Sequence, residues 1–187
     1  MTARFHDELL AAAEQLLARR GGQRGKLSGA RVRRSISTSY YALFHFVMED
    51  ASVRLLGSGS DFLRRRRIFA RTFTHAGLKS AFERIRERRI DPSVASFLLQ
   101  SGDAFLEAVA PEFASNLARV FCETQVVRHI ADYDMNTPVS EADARMLLSR
   151  VADAIAAWRA ANKAADRDFK HALCMLLAQK GQMRRET

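Results

Sequence analysis

The stretch "RRSISTSYYALFHFVMEDA", residues 33–51, decides the fold. Together with its flanks it carries apolar side chains at three- and four-residue spacing: Val32, Ile36, Tyr40, Leu43, Phe44, Val47, Ala51 and Leu55. That spacing gathers these side chains on one face of an α-helix. We therefore expect one long amphipathic helix, which Ser28 caps at its start and which ends at "GSGSD", residues 57–61.

Helical spacing continues on both sides of this segment. It predicts further helices over residues 2–20, 62–73, 140–158 and 163–180, separated by glycine pairs, prolines and short polar loops. Residues 74–89 form either another helix or a kinked extension of the helix over 62–73. Asp61 is expected to cap the helix that begins at residue 62. Ser140 is expected to cap the helix over 140–158, together with Asp143 three residues later. Because no alternating pattern lasts long enough for a strand, the predicted fold class is all-α.

The expected architecture is an up-and-down bundle of long helices with an extra C-terminal helix. Residues 1–162 form the expected bundle. Residues 163–187 are a helical extension, whose apolar face packs on the bundle or on a second subunit. Pro92 fits the first turn of a helix, while Pro111 and Pro138 mark a break and a stop.

The composition bounds the possible functions. Among 187 residues, 30 are Lys or Arg and 21 are Asp or Glu, a net charge of +9 that suggests a polyanionic partner. No apolar run is long enough for a membrane span and the amino terminus lacks a signal peptide's apolar stretch, so a cytoplasmic protein is expected. Cys122 and Cys174 stand alone, which indicates buried, reduced thiols. Neither a metal nor a cofactor is expected.

The densest charge run is "RRRR", residues 64–67, followed by Arg71. Four adjacent cations on a helix repel each other, and a polyanion would relieve that repulsion. Arg64, Arg65, Arg66, Arg67 and Arg71 are therefore the candidate nucleic-acid-binding residues. The alternative is a solvated face near acidic side chains.

The opening segment also carries a second, polar stripe. Tyr40 belongs to the apolar stripe and is expected in the core, whereas Tyr41 and His45 share another face with Arg34 and Thr38. This face mixes hydrogen-bond donors with a titratable ring. It is expected to meet the segment "RHIADYD", residues 128–134, across the bundle, and His45 serves there either as a structural or as a catalytic side chain. His6, by contrast, is expected to face solvent.

Three separated segments carry a resemblance to a known family: residues 33–51, "RTFTHAGLKSAFERI" at 71–85 and "VVRHIADYDM" at 126–135. Over residues 5–160 the chain resembles the HEPN superfamily, in particular its bacterial branch with a tyrosine-pair helix and an Arg-x-x-Ala-Asp-Tyr motif. The resemblance implies a helical bundle that commonly forms a homodimer. It also implies a setting in toxin-antitoxin systems, defence or RNA metabolism, often with a nucleotidyltransferase as partner protein.

Nuclease members of that superfamily carry an arginine and, four to six residues later, a histidine, and they cleave RNA as dimers without a metal. The imidazole moves a proton and the guanidinium stabilises charge on the phosphorane. Here Arg128 is followed directly by His129, which points about 100° away around a helix. The catalytic candidates are Arg128 and His129, in a site that departs from the nuclease pattern.

The spacing of this motif predicts two pairs of side chains, each pair on one face of the helix. Arg128 and Asp132 are four residues apart, as are His129 and Tyr133. One interpretation is structural: the segment closes a helix end and docks it by hydrogen bonds onto the tyrosine-pair helix. The other is a degenerate active site in which His129 or His45 transfers a proton beside Arg128.

Three function classes stay open. The favoured one is a HEPN-like module that binds RNA or a nucleotide, as a partner or binding subunit of a larger system. The second is a metal-independent ribonuclease toxin with a degenerate Arg/His site. The third is a purely structural dimerisation bundle without a nucleic-acid ligand.

Overall fold

The computed structural model of the protein describes residues 4–19, 25–87, 90, 95, 97, 98 and 109–179. Within these ranges the chain contains seven α-helices and no β-strand, so the predicted all-α class is confirmed. The helices are α1 (Phe5–Leu17), α2 (Gly29–Leu56), α3 (Leu63–Ala70), α4 (His75–Glu83), α5 (Glu112–Tyr133), α6 (Glu141–Ala160) and α7 (Ala164–Ala178). A short 3₁₀ turn, Ser60–Phe62, precedes α3.

The predicted starts of two long helices are confirmed by their caps. At α2, the Ser28 side chain accepts a hydrogen bond from the backbone N–H of Arg31 at 3.4 Å. At α6, Ser140 Oγ accepts from the backbone N–H of Asp143 at 3.0 Å, and the Asp143 carboxylate accepts from the Ser140 hydroxyl at 2.6 Å. Each cap satisfies an N–H group that lacks a partner inside its helix.

Two expectations about helix boundaries were wrong, and one of two alternatives was confirmed. Asp61 does not cap α3, because Ser60–Phe62 forms a 3₁₀ turn and no side chain accepts a hydrogen bond at the helix start. Of the two alternatives for residues 74–89, the separate helix is confirmed: the Thr74 hydroxyl caps the start of α4 by accepting from the Gly77 N–H at 3.1 Å. Helix α1 ends at Leu17, before the glycine pair. Pro92 lies outside the described residues.

The helices form two compact units. The first comprises Met1–Phe46 and Val120–Ala156. Its core brings together apolar side chains of four helices and the loop before α2: Leu17, Leu27, Val32, Ile36, Ala131, Ala144 and Leu147. Their burial fixes the amino-terminal half of α2 beside the carboxy-terminal half of α5, where the candidate motif lies.

The second unit comprises Val47–Arg119 and Ala157–Thr187 and contains the C-terminal helix. On one face of α7 the apolar side chains Phe169, Leu173, Leu176 and Leu177 are buried, and α7 packs against α4. The Phe169 ring contacts Phe113 at a centroid distance of 6.3 Å. The apolar face of α7 is therefore covered within this chain, and it gives no argument for a second subunit.

A buried lysine strengthens the junction between α6 and α7. Lys170 is 1% exposed, and its ammonium group donates to the carbonyl oxygens of Trp158, at 2.5 Å, and Ala161. Trp158 lies in the last turn of α6 and Ala161 directly follows it, where carbonyl groups lack partners inside the helix. The ammonium also lies 5.1 Å from the centres of the Phe113 and Trp158 rings. Lys170 thus acts as a cap for α6.

None of the helices in the described part of the chain combines the length and the apolar character that a bilayer crossing requires. Both cysteines are buried and free, as their isolated positions in the sequence indicated.

Candidate functional site

The end of α5 is bound to α2 by one arginine of the opening segment. Arg33 Nη1 donates to the carbonyl oxygens of Ile130, Ala131 and Asp134 at 3.1, 3.1 and 2.9 Å, and its Nη2 donates to that of Thr137 at 2.6 Å. Ile130 and Ala131 lie in the last turn of α5 and Asp134 directly follows it; the Ile130 carbonyl also accepts from the Asp134 N–H at 3.0 Å. Arg33 therefore supplies the C-terminal cap of α5 from a different helix.

One turn before that end, Arg128 joins the same two helices. Its Nη2 donates to the Tyr41 hydroxyl at 2.8 Å, and its Nε lies 2.7 Å from Oδ2 of Asp132. The second contact is an ion pair without the angles of a hydrogen bond, and its two side chains are 18% and 23% exposed. The other Asp132 oxygen accepts from the Ser37 hydroxyl. We call these four residues, Ser37, Tyr41, Arg128 and Asp132, the Arg128 cluster.

Aromatic rings surround the guanidinium of Arg128. Its central carbon lies 5.9, 5.4 and 5.6 Å from the ring centres of Tyr40, Tyr41 and Tyr133. Burial acts to lower the pKa of Arg128, but the neighbouring Tyr41, Asp132 and Tyr133 outweigh it and raise this pKa above its ordinary value. Burial also raises the pKa of Tyr40. Arg128 is therefore a fixed cation with its donors turned into the protein.

The two catalytic candidates point in different directions. His129 is exposed, and its ring contacts the exposed ring of Tyr133 at a centroid distance of 4.9 Å. Arg128, one residue earlier, points inward to Tyr41 and Asp132. General acid-base chemistry on an RNA phosphate requires the imidazole and the guanidinium to reach the same reacting group. Within one chain the arrangement does not bring them to a common point.

The side chains of the predicted polar stripe of α2 do not all contact the same helix. Tyr41 meets the motif of α5, as expected, through Arg128. The ring of His45 instead contacts that of Phe5 at 4.8 Å, while Arg34 is exposed to solvent. The expectation for His6 was wrong: it is fully buried, with its ring 5.2 Å from that of Phe46.

Arg33 and Ser37 were not predicted to take part in the contact between α2 and α5. They are four residues apart and so lie on one face of α2, which is a weak signal that they share a partner. Ser37 and Ser35 are buried, and Ser35 Oγ donates to the carbonyl of Ala13 on α1 at 2.8 Å. The serines of "RRSISTS" thus allow close packing and satisfy polar groups on two neighbouring helices.

The basic run forms a separate candidate site on α3, in the second unit. The side chains of Arg64, Arg65, Arg67 and Arg71 are exposed, and we call these four the α3 arginine surface. At 100° per residue, Arg64, Arg67 and Arg71 fall within about 60° of one another around the helix. None of the four forms an ion pair with a residue in the described ranges, so their charge faces solvent.

Arg66 does not belong to this surface. Its Nη1 donates to the carbonyl oxygens of Gly57 at 2.5 Å and of Gly59 at 3.0 Å. Gly57 has φ +89°, a conformation that glycine adopts without strain. Arg66 therefore closes the turn between α2 and α3 and has a structural role.

The described residues contain no cluster of three or more His, Cys, Asp or Glu side chains that could hold a metal ion. No protein family, curated protein or solved structure matches this chain.

Proposed function

We propose that this chain is a HEPN-like helical module that binds RNA through the α3 arginine surface and does not cleave it. It acts as a binding or partner subunit in an RNA-linked process such as a toxin-antitoxin system, defence or RNA metabolism. The observation that carries this proposal is the exposure of four arginines on and directly after an eight-residue helix, without ion pairs in the described part of the chain.

The position of these arginines is energetically unfavourable in the free protein. Arg64 and Arg65 lie in the first half of α3, where the helix dipole is positive, and the charges of the four arginines repel each other. No acidic residue lies within Leu63–Ala70 to offset this repulsion. A polyanion removes the cost, and the phosphates of RNA match the planar donors of arginine.

The Arg128 cluster supports the non-catalytic part of the proposal. An arginine that stabilises a phosphorane must turn its donors toward the substrate. Arg128 turns them toward Tyr41 and Asp132, and the side chain is only 18% exposed. The ribonuclease alternative requires these contacts to break before each turnover.

Homodimerisation and a nucleotidyltransferase partner belong to the same proposal through the HEPN resemblance. The oligomeric state is measured by light scattering at micromolar concentration. A monomer would remove the dimer from the proposal and leave the α3 arginine surface as its basis.

The RNA-binding proposal is tested by the salt dependence of affinity for a single-stranded RNA. Each phosphate contact adds about 0.7 to the slope of log affinity against log salt. We expect a triple variant, Arg64→Gln with Arg65→Gln and Arg67→Gln, to lower that slope by about 2.

Arg66→Gln is the matched control, since it removes one arginine of the same run that is bound to the Gly57–Gly59 turn. We expect it to leave the salt slope nearly unchanged while lowering the melting temperature. An unchanged slope in the triple variant, or an equal reduction in the control, would show that the α3 arginine surface does not bind RNA.

A further inference from the structure

Apolar side chains are exposed among the arginines of α3. Phe62, directly before the helix, is 37% exposed, and Ile68 within it is 57% exposed. The guanidinium of Arg65 lies 5.8 Å from the centre of the Phe62 ring. Exposed apolar area is unfavourable in water, and these apolar groups add nothing to the binding of phosphate oxygens.

The Phe62 ring is held in place by the turn before it. A methyl group added to Gly59 would lie 3.5 Å from the ring, and one added to Gly57 would lie 3.7 Å away, so the ring packs against the glycine backbone. Arg66 fixes that backbone by its bonds to both carbonyls. Phe62 is therefore a partly exposed aromatic surface on a fixed support, beside the guanidinium of Arg65.

The order of side chains around α3 indicates the kind of polyanion. At 100° per residue, Ile68 lies about 40° from Arg64 on one side and Leu63 lies about 100° from it on the other. Apolar and cationic groups thus alternate around the exposed surface. A helix that lies on a membrane instead segregates its apolar residues on one face, away from the cations.

Single-stranded RNA presents both kinds of group that this surface matches. Its phosphates bind cations, and its unpaired bases stack on aromatic side chains and on arginine planes. In duplex RNA the base faces are covered by their neighbours, and only phosphates, sugars and base edges are accessible.

We infer that the surface formed by the four arginines and Phe62 binds single-stranded RNA in preference to duplex RNA, with a base stacked on the Phe62 ring. This inference rests on the proposed RNA binding and adds the class of RNA and the residue that selects it.

The test compares the affinities of a short unstructured pyrimidine RNA and of its duplex, by fluorescence anisotropy at one salt concentration. We expect the single strand to bind more tightly. Because stacking on an aromatic side chain contributes about 1 to 3 kcal/mol per base, Phe62→Leu should weaken single-strand binding at least about fivefold and leave duplex binding unchanged.

Two further variants separate a lost stack from a lost fold. Phe62→Tyr keeps an aromatic ring and should keep the single-strand preference. Phe62→Trp should bind the single strand at least as tightly as the parent, and RNA should quench its added fluorescence. Phe5→Leu, which removes an exposed ring from α1, should change neither affinity.

The outcomes distinguish the two proposals. Equal binding of both RNAs, with no effect of Phe62→Leu and no quenching in Phe62→Trp, overturns the inference and leaves RNA binding in place. Absence of binding to either RNA overturns both proposals. Tighter binding to anionic phospholipid vesicles than to RNA, weakened by Phe62→Leu, assigns the surface to a membrane instead and also overturns the inference.

Discussion

Replacing Arg128 with alanine separates a structural role of this residue from a catalytic one. The change removes the 2.8 Å hydrogen bond to Tyr41, the ion pair with Asp132 and the contacts with three tyrosine rings. A hydrogen bond from a charged donor contributes about 1.5 to 3 kcal/mol, and a partly exposed ion pair on one helix adds about 0.3 to 0.5. The cation–π contacts, at more than 5 Å, add about 0.5.

The expected loss in the free energy of unfolding is therefore about 2 to 4 kcal/mol. For a chain of this size each kcal/mol lowers the melting temperature by about 2 to 4 °C, so Arg128→Ala should melt about 4 to 16 °C lower. The assay is thermal unfolding followed by circular dichroism at 222 nm.

Arg34→Ala is the matched control, because Arg34 is an exposed arginine on the helix that Arg128 contacts. Its effect should stay within about 0.5 kcal/mol. A double-mutant cycle of Arg128→Ala with Tyr41→Phe should give a coupling energy of about 1 to 2 kcal/mol for the hydrogen bond. Equal melting temperatures of Arg128→Ala and Arg34→Ala would refute a structural role for Arg128.

Two further predictions concern caps at other helix ends. Lys170→Met leaves the carbonyls at the end of α6 without their buried donor. It should lower the free energy of unfolding, measured by chemical denaturation, by about 2 to 4 kcal/mol. The control Lys79→Met, on the surface, should lower it by less than about 0.5 kcal/mol. The Thr137 hydroxyl and two backbone N–H groups lower the pKa of Asp134 in the folded protein. The stability that this carboxylate contributes is therefore present above its pKa in the unfolded chain, and it is lost as the pH falls through its pKa in the folded protein. Thr137→Val should raise the pKa of Asp134 in an NMR titration, and an unchanged pKa would contradict the assigned cause.

The long helices could be predicted from the sequence because their apolar spacing and their caps are local signals. The stripe from Val32 to Leu55 and the Ser140–Asp143 pair each lie within one element, and both were confirmed. Asp61 met the same local rule, yet the turn beside it is closed by Arg66, whose bond to Gly57 spans nine residues. Local cap rules carry no information about such a contact.

The candidate site was predicted in part for the same reason. The pair Arg128 and Asp132 follows from helical spacing and is present. Arg33, however, reaches carbonyls 97 to 104 residues away, and His45 turns to Phe5 on α1 instead of α5. These contacts depend on how helices pack in space, which periodicity within one helix does not determine.

The most direct test of the central claim, that the chain binds RNA without cleaving it, is recovery of RNA from the complex. A labelled single-stranded RNA is incubated with saturating protein in the presence of a chelator, and the bound RNA is then extracted and sized. We expect full-length RNA in the bound fraction. Shortened RNA ending in a 2′,3′-cyclic phosphate, formed by the parent but not by folded Arg128→Ala and His129→Ala variants, would contradict the account.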